Sequence, residues 1–409
     1  MVRDPLEILI STPRPQRALA TLLLSIVLVP ALLHASFDNG VWGVRAAGMG
    51  GAFVALADDA SAPFWNPAGT AFTQRVQSAF MWERAYPGLT DVDIRSGFLS
   101  LVVPSRFGSM GGGVTSYSYG SMLSENIVLL HYGREVVPAL GIGINLKYLT
   151  HDYKIGKDPS FAANPVFANG TSAGNVTFDL GALYKVGRSV SLGIAGRNLT
   201  EPDVGLRSTD RVSSEFQGGA AWTFNPRWTF EADLAYKNAP ERDFKSKMEA
   251  AIGAEYRAWR VQRFGAVARI GINRDFSADQ KKAFKNVTAG FTLESDLQNW
   301  LAIALDYAFL LNVNLAGGYS EVNQSGTHQI GISLLFGAPA ATPAGSNAPP
   351  VPLRTAQPLP APAAAPVTEP VRASPANPAA APVLNPKISP ATKSAKPRSV
   401  PKKKPSNKR

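Results

Sequence analysis

The chain contains no cysteine, which excludes disulfides, thiolate nucleophiles, Cys-ligated metals and an N-terminal lipid anchor. Histidine is nearly as scarce. His34, His131, His151 and His328 are scattered, and none falls in a metal-ligand spacing. No metal site and no cofactor are expected. Neither a Walker loop nor a G-x-S-x-G elbow occurs, and no serine stands out as the partner of a histidine, so an enzyme is not expected. Acidic residues are almost missing from one end. From Gly337 onward eleven Lys/Arg face a single acid, Glu369. That tail accounts for nearly all of the formal +11 net charge, and the rest of the chain is close to neutral. A basic tail, unlike a basic patch on a folded surface, gives no reason to expect nucleic acid.

Long apolar runs are missing too, apart from one near the start. Arg14 and Arg17 precede the run Ala18 to Leu33, which Pro30 interrupts, and the small residues Ala35 and Ser36 follow. This is the order of an export signal, cleaved near Ala35 or Ser36. The alternative, a membrane anchor, needs about 20 apolar residues. Residues 1–36 are read as a signal peptide.

What the chain has in quantity is alternation. "RWTFEADLAYK" sets Trp228, Phe230, Ala232, Leu234 and Tyr236 on one face against Thr229, Glu231, Asp233 and Ala235. "ALGIGINLKYL" separates Leu140, Ile142, Ile144, Leu146 and Tyr148 from Gly141, Gly143, Asn145 and Lys147. Period two marks amphipathic strands. Fourteen such segments are expected near 76–85, 92–104, 108–119, 125–136, 139–153, 174–186, 189–199, 212–224, 227–237, 244–257, 261–273, 284–294, 299–311 and 326–336. Strands of about ten residues are long for a soluble sheet and match the roughly 9–11 that cross a bilayer at a tilt.

The connections point the same way. Those after even-numbered segments are short, such as Val137-Pro138 and Asn225-Pro226; those after odd-numbered ones, such as Lys154 to Ala173, are longer in trend. Outer-membrane barrels place short turns in the periplasm and long loops outside. Trp222, Phe224, Trp228, Trp259 and Trp300 cluster at the short turns, and Tyr148, Tyr153, Tyr307 and Phe309 at the opposite ends, as two aromatic girdles would. The competing fold is a soluble sandwich or propeller, which the strand length and the export signal disfavour. The expected class is all-β: a transmembrane barrel of about fourteen antiparallel strands, residues 76–337, in contact with outer-membrane lipids. With an even strand count, both ends of the mature chain are expected in the periplasm. The last strand, "THQIGISLLF", ends on Phe336 and resembles the segment that barrel-assembly machinery reads, although here the chain continues.

Residues 338–409, rich in Pro and Ala, cannot bury a core and are expected to be disordered. Their charge fits a tether to anionic cell wall or lipid; the plainer reading is a solvated extension.

Inward faces are expected to carry Lys147, Glu231, Asp233, Glu249, Glu255, Arg263, Arg269 and Asp306. Charges inside a barrel line water or grip a plug. Residues 37–75 are the candidate plug. "GVRAAGMGGAFVALADDASAPFWNPAGT" (Gly43 to Thr70) has few long side chains, and its Gly48–Gly51 run permits tight turns. Its "GMGGAF" fails the dinucleotide fingerprint at the last place and lacks a preceding strand. Adjacent acids on an extended or helical chain point apart, so for Asp58 and Asp59 a cap, or an ion pair with Arg45 or another lumen base, is expected rather than a shared metal or acid–base site. Asn66-Pro67-Ala68-Gly69 is a turn signal leading into the first strand.

Arg45, the Met49-Gly50-Gly51-Ala52 run, Asp58-Asp59 and Asn66-Pro67-Ala68-Gly69 together resemble the N-terminal signature of PorV/PorQ-type outer-membrane proteins, distant relatives of FadL-like hydrophobic-compound transporters. The resemblance implies an N-terminal hatch inside the lumen. It implies as cargo either a hydrophobic small molecule, carried as by FadL-like barrels, or a secreted protein shuttled in type IX secretion. Transport of a hydrophobic molecule is the expectation, with the secretion role as its alternative.

Overall fold

The computed structural model describes residues 37, 41–89, 92–154, 164–239, 246–276, 286–313 and 325–337. The expected signal peptide and the basic tail lie outside these residues, as does the apolar stretch Leu315 to Tyr319, whose sequence would suit contact with a hydrophobic solute.

Fourteen strands close into one antiparallel barrel: β1 Val76–Ala85, β2 Ile94–Ser105, β3 Gly108–Tyr119, β4 Leu123–Val137, β5 Leu140–Tyr153, β6 Ser172–Val186, β7 Val190–Arg197, β8 Glu215–Thr223, β9 Trp228–Lys237, β10 Lys247–Val261, β11 Phe264–Asp275, β12 Asn286–Gln298, β13 Leu301–Asn312 and β14 Thr327–Phe336. Each strand pairs with its sequence neighbours, and β1 closes on β14 with Val76 opposite Phe336. Closure leaves no free sheet edge, which is what a bilayer demands of strands. The short turns gather at one end and the longer connections at the other.

Alternation sorts the side chains as the sequence implies. Outward residues such as Leu130, Leu146, Ile194, Leu234 and Ile270 are exposed and apolar, and inward ones such as Asn145, Asp179, Glu231 and Glu255 are buried and polar. At the short-turn end Trp222 packs edge-on to Phe224, and Trp228 stacks on Phe230. Tyr153 departs from the expected girdle. It lies against His151, with ring centroids 4.6 Å apart, and His151 is buried on the inner face.

Of the register shifts, which fall in β4, β10 and β12, the last two move the expected boundaries most. In β10 the pairing with β11 slips between Arg257 and Trp259, and in β12 the pairing with β13 slips between Asp296 and Gln298. A bulge sets two residues against one, so the facing parity changes. Glu255 is inward on an odd number; beyond the bulge Arg260, on an even number, bonds inward to Glu294 and Asp296. Strand β10 therefore runs on to Val261, past the expected turn. Arg263, expected in the lumen, sits exposed in the turn between β10 and β11 and donates to the Leu297 carbonyl.

The segment between Val41 and Arg75 occupies the lumen. Helix α1 (Val44–Gly48), helix α2 (Ala62–Trp65) and a 3-10 turn (Pro67–Phe72) are joined by tight turns, and nearly all of their residues are buried. It leaves at the short-turn end, directly into β1. Its other end differs from expectation. Phe37 contacts Glu125 at the start of β4 and His151 at the end of β5, so it lies at the long-loop end, opposite Val76 and Phe336.

Candidate functional site

The hatch is short of long side chains, so the barrel reaches in to hold it, and it does so differently on two sides. Toward β10–β14 the grip is a chain of charges centred on Arg45. Its Nε donates to Glu255 at 2.7 Å and its Nη1 to Asp58 at 2.5 Å, while its guanidinium lies 5.3 Å from the Phe53 ring centre. Glu255 also accepts from Arg269 at 2.8 Å. Arg269 donates to Thr292, Thr292 to Asp306, and Ser333 to the other Asp306 oxygen. One line of contacts thus runs from α1 across five strands, β10 to β14. Burial opposes the Arg45 charge, but Asp58, Glu255 and Asp59 outweigh it and hold the guanidinium above its usual range. Burial pushes the Asp58 carboxyl up, against the opposing pull of Arg45.

Toward β5–β9 the grip is on hatch backbone. One Asp233 oxygen accepts the N–H groups of Phe53 and Val54, at 2.7 and 3.0 Å, and one Glu231 oxygen accepts those of Ala55 and Leu56, at 2.7 and 3.1 Å. Asn145 donates to the Pro63 carbonyl and Arg197 to that of Phe64. Asn66 works from the hatch side. Its amide donates to the carbonyls of Val54 and Ala182, and its oxygen accepts from Ala68 N–H, closing the turn.

Inward glycines permit this approach. A Cβ on Gly143 would lie 2.3 Å from the carbonyl carbon of Pro67, one on Gly193 2.3 Å from Val54 O, and one on Gly271 2.1 Å from the carbonyl carbon of Met49. Gly181 faces Asn66 and Gly253 faces Met49 in the same way. In the hatch, Gly50 adopts φ 70° against the backbone of Ile272, and Gly69 sits where a Cβ would strike Ala57 O. Alternation puts Gly141 and Gly143 on the polar face but gives the wall glycines no role. Their signal was there: glycine at polar-face positions of successive strands, where a water-filled lumen would be indifferent to side-chain size.

The expected site residues mostly converge. Arg45, Met49, Gly50, Gly51, Asp58, Asp59, Asn66, Pro67 and Gly69 all belong to the hatch. Asp59 closes its own turn, accepting from the backbone and hydroxyl of Ser61 at 2.8 and 2.6 Å. Lys147 pairs with Asp179 at 2.7 Å, above the hatch. Glu249 lines the lumen nearer the long loops, and Arg263 lies outside the group.

On the long-loop side of the hatch lies a cavity of about 410 Å³. Its floor is Trp42, Gly50, Gly51, Phe64 and Trp65, and charged groups including Lys147, Asp179, Arg197, Glu215, Lys237 and Glu249 line its walls. Above it the connection between β7 and β8 folds inward and buries Val204 and Val212 against Ile127, Leu149 and Phe37. Among the described residues no cluster of three or more His, Cys, Asp or Glu could hold a metal.

The barrel resembles solved structures of hydrocarbon transporters. It matches the CymD monoaromatic hydrocarbon channel with a TM-score of 0.53 at 13% identity, over 74% of this chain and 99% of that one. It matches the Ralstonia pickettii toluene transporter TbuX with a TM-score of 0.51 at 13% identity, over 74% of this chain and 100% of that one. At such identity the likeness is one of fold. No curated protein matches the sequence. Residues 61–334 match the family model described as "Type IX secretion system membrane protein PorP/SprF". That span runs from Ser61, at the start of α2, almost to the end of β14, and the chain belongs to the PorP/SprF family of type IX secretion system membrane proteins.

Proposed function

We propose that this protein is a plugged outer-membrane barrel of type IX secretion, acting on protein cargo through its surfaces and not as an open solute pore. The observation that carries this reading is the hatch. It is bonded on both sides of the lumen by buried groups, Arg45 to Glu255 on one and Glu231 and Asp233 on the other. A PorV/PorQ-like shuttling role is the finer form of the same reading. The short-turn end faces the periplasm, where the basic tail meets anionic cell wall, and barrel-assembly machinery reads the strand that ends on Phe336. Deleting the gene should deplete a defined set of secreted proteins from the medium or cell surface, and the tagged barrel should co-purify with them. An unchanged secretome would sink the reading.

A second reading, passage of a hydrophobic small molecule, rests on the aromatic floor of the cavity, Trp42, Phe64 and Trp65. The charged walls favour an amphipathic molecule over a pure hydrocarbon. Mass spectrometry of lipids retained by the protein purified from native membrane tests it; a lumen free of such molecules argues against it.

A further inference from the structure

Phe37 occupies an unexpected place. Its backbone N–H donates to Oε2 of Glu125 at 3.1 Å, and that carboxylate is buried on the inner face of β4. Its ring packs with Ile127, Leu149, Val204 and Val212 and stands edge-on to His151, centroids 6.3 Å apart. Its φ is 65°, a conformation that bulky L residues disfavour, so these contacts hold it there. From Val41 the chain continues inward. Gln329 donates to the Val41 carbonyl and the Trp65 indole to that of Trp42.

The hatch fills the lumen beneath this point. A residue attached ahead of Phe37 therefore leaves from the long-loop mouth, on the far side of the plug from Val76 at the start of β1 and Phe336 at the end of β14. An apolar leader held in the inner membrane cannot connect to that mouth, because its only passage would be the occupied lumen. The leader must be gone before the barrel closes round the hatch. The small residues Ala35 and Ser36 lie immediately before Phe37, after the apolar run ending at Leu33. Cutting there creates an α-ammonium group within one residue of a buried carboxylate. Such a carboxylate is well matched by a cationic donor, since charge-assisted hydrogen bonds are about twice as strong as neutral ones.

We propose that the leader is cut at Ala35 or Ser36, and that Glu125 holds the new amino terminus at the long-loop mouth, with the Phe37 side chain seated in its apolar socket. This rests on export to the outer membrane and is independent of what the cargo is. The terminus is thus one end of the hatch's anchorage, created by processing.

N-terminal sequencing and intact mass of the full-length protein purified from outer membranes test the cut. A chain starting at Ser36 or Phe37 is expected; one that starts at Met1, or anywhere else, overturns it. Labelling of the folded protein with an α-amine-selective pyridine carboxaldehyde tests the anchor. Glu125→Gln should label about tenfold faster than the wild type, the scale of one hydrogen bond to a charged group. Equal rates overturn the role of Glu125. Heat-modifiable migration on gels reports whether the variant barrel is assembled. If it is not, Phe37→Ala leaves Glu125 in place and should give the same acceleration by emptying the socket; an unchanged rate overturns the anchor.

Discussion

The two sides of the hatch are held with different emphasis. Facing β10–β14, the barrel holds the Arg45 side chain through Glu255 and the relay to Asp306, beside backbone contacts from Thr288, Asn273, Gly253 and Gly271 to Gly48, Met49 and Gly50. Facing β5–β9, it recognises hatch backbone, through Glu231, Asp233, Asn145 and Arg197 and through glycines that let main chain touch main chain. A side-chain grip depends on one hatch residue and concentrates its energy there. A backbone grip tolerates any small hatch residue and spreads its energy over many wall positions. The hatch can be poor in functional side chains because the wall supplies them.

Substitutions on each side should separate the two modes. The largest effect is expected from Arg45→Ala, which strips Asp58 of its buried partner and leaves Glu255 only Arg269 and Arg257, and should destabilise by about 3–5 kcal/mol in denaturant titrations of the reconstituted barrel. Arg45→Lys should recover only part of this, because an ammonium cannot reproduce the fork that spans both acids. On the other side, Gly143→Val should cost about 1–3 kcal/mol or more, since the new side chain meets the Pro67 backbone. Limited proteolysis of the hatch is the readout, and a protected hatch in that variant would break the account of the wall glycines. Asp233→Asn keeps an acceptor oxygen but loses the charge, and should cost about 1 kcal/mol by the same titration. Arg263→Ala, in an exposed turn, should change stability by less than about 0.5 kcal/mol. An effect as large as that of Arg45 would return Arg263 to the lumen set.

The smallest effect concerns the loop over the cavity. Hydrogen bonds from Ser214 and Asn238 hold the Glu201 carboxyl below its usual range. A depressed folded-state pKa contributes stability that is present above the ordinary carboxylate pKa of about 4.3 and is lost as pH falls through the folded value. Hydrogen-exchange protection factors in residues 198–214, taken relative to the free-peptide rate at each pH, should therefore fall on acidification below about pH 4, and Glu201→Gln should remove that dependence.

Much of the barrel was legible because period two and strand length are local properties. The outward apolar faces of β5 and β9 and the inward Glu231 and Asp233 follow from alternation alone. What alternation misses is any point where the ladder slips. The bulges in β10 and β12 exchange inward and outward positions; Arg263 falls on the inward parity of β11 but lies in the turn ahead of that strand, because β10 runs on to Val261. Tyr153 was misassigned because it falls on the inward parity of β5, with His151, despite its membrane-interface position along the chain. The hatch block stands out by composition, and the Arg45–Asp58 pair is one of the options open for those acids, beside a cap or another lumen base. Its counter-residues Glu255, Arg269 and Asp306 were expected in the lumen, but which of them would meet Arg45 was not.

Sequence alone determined that these residues form fourteen amphipathic strands and that a small-residue block precedes them, because both are written in neighbouring residues. Only the tertiary structure decided which end of the lumen each part of that block occupies. Closing the barrel brings Arg45 to Glu255 across 210 residues and Phe37 to Glu125 across 88. Such contacts depend on strand register and on glycines that leave room for another backbone, and neither has a local signature.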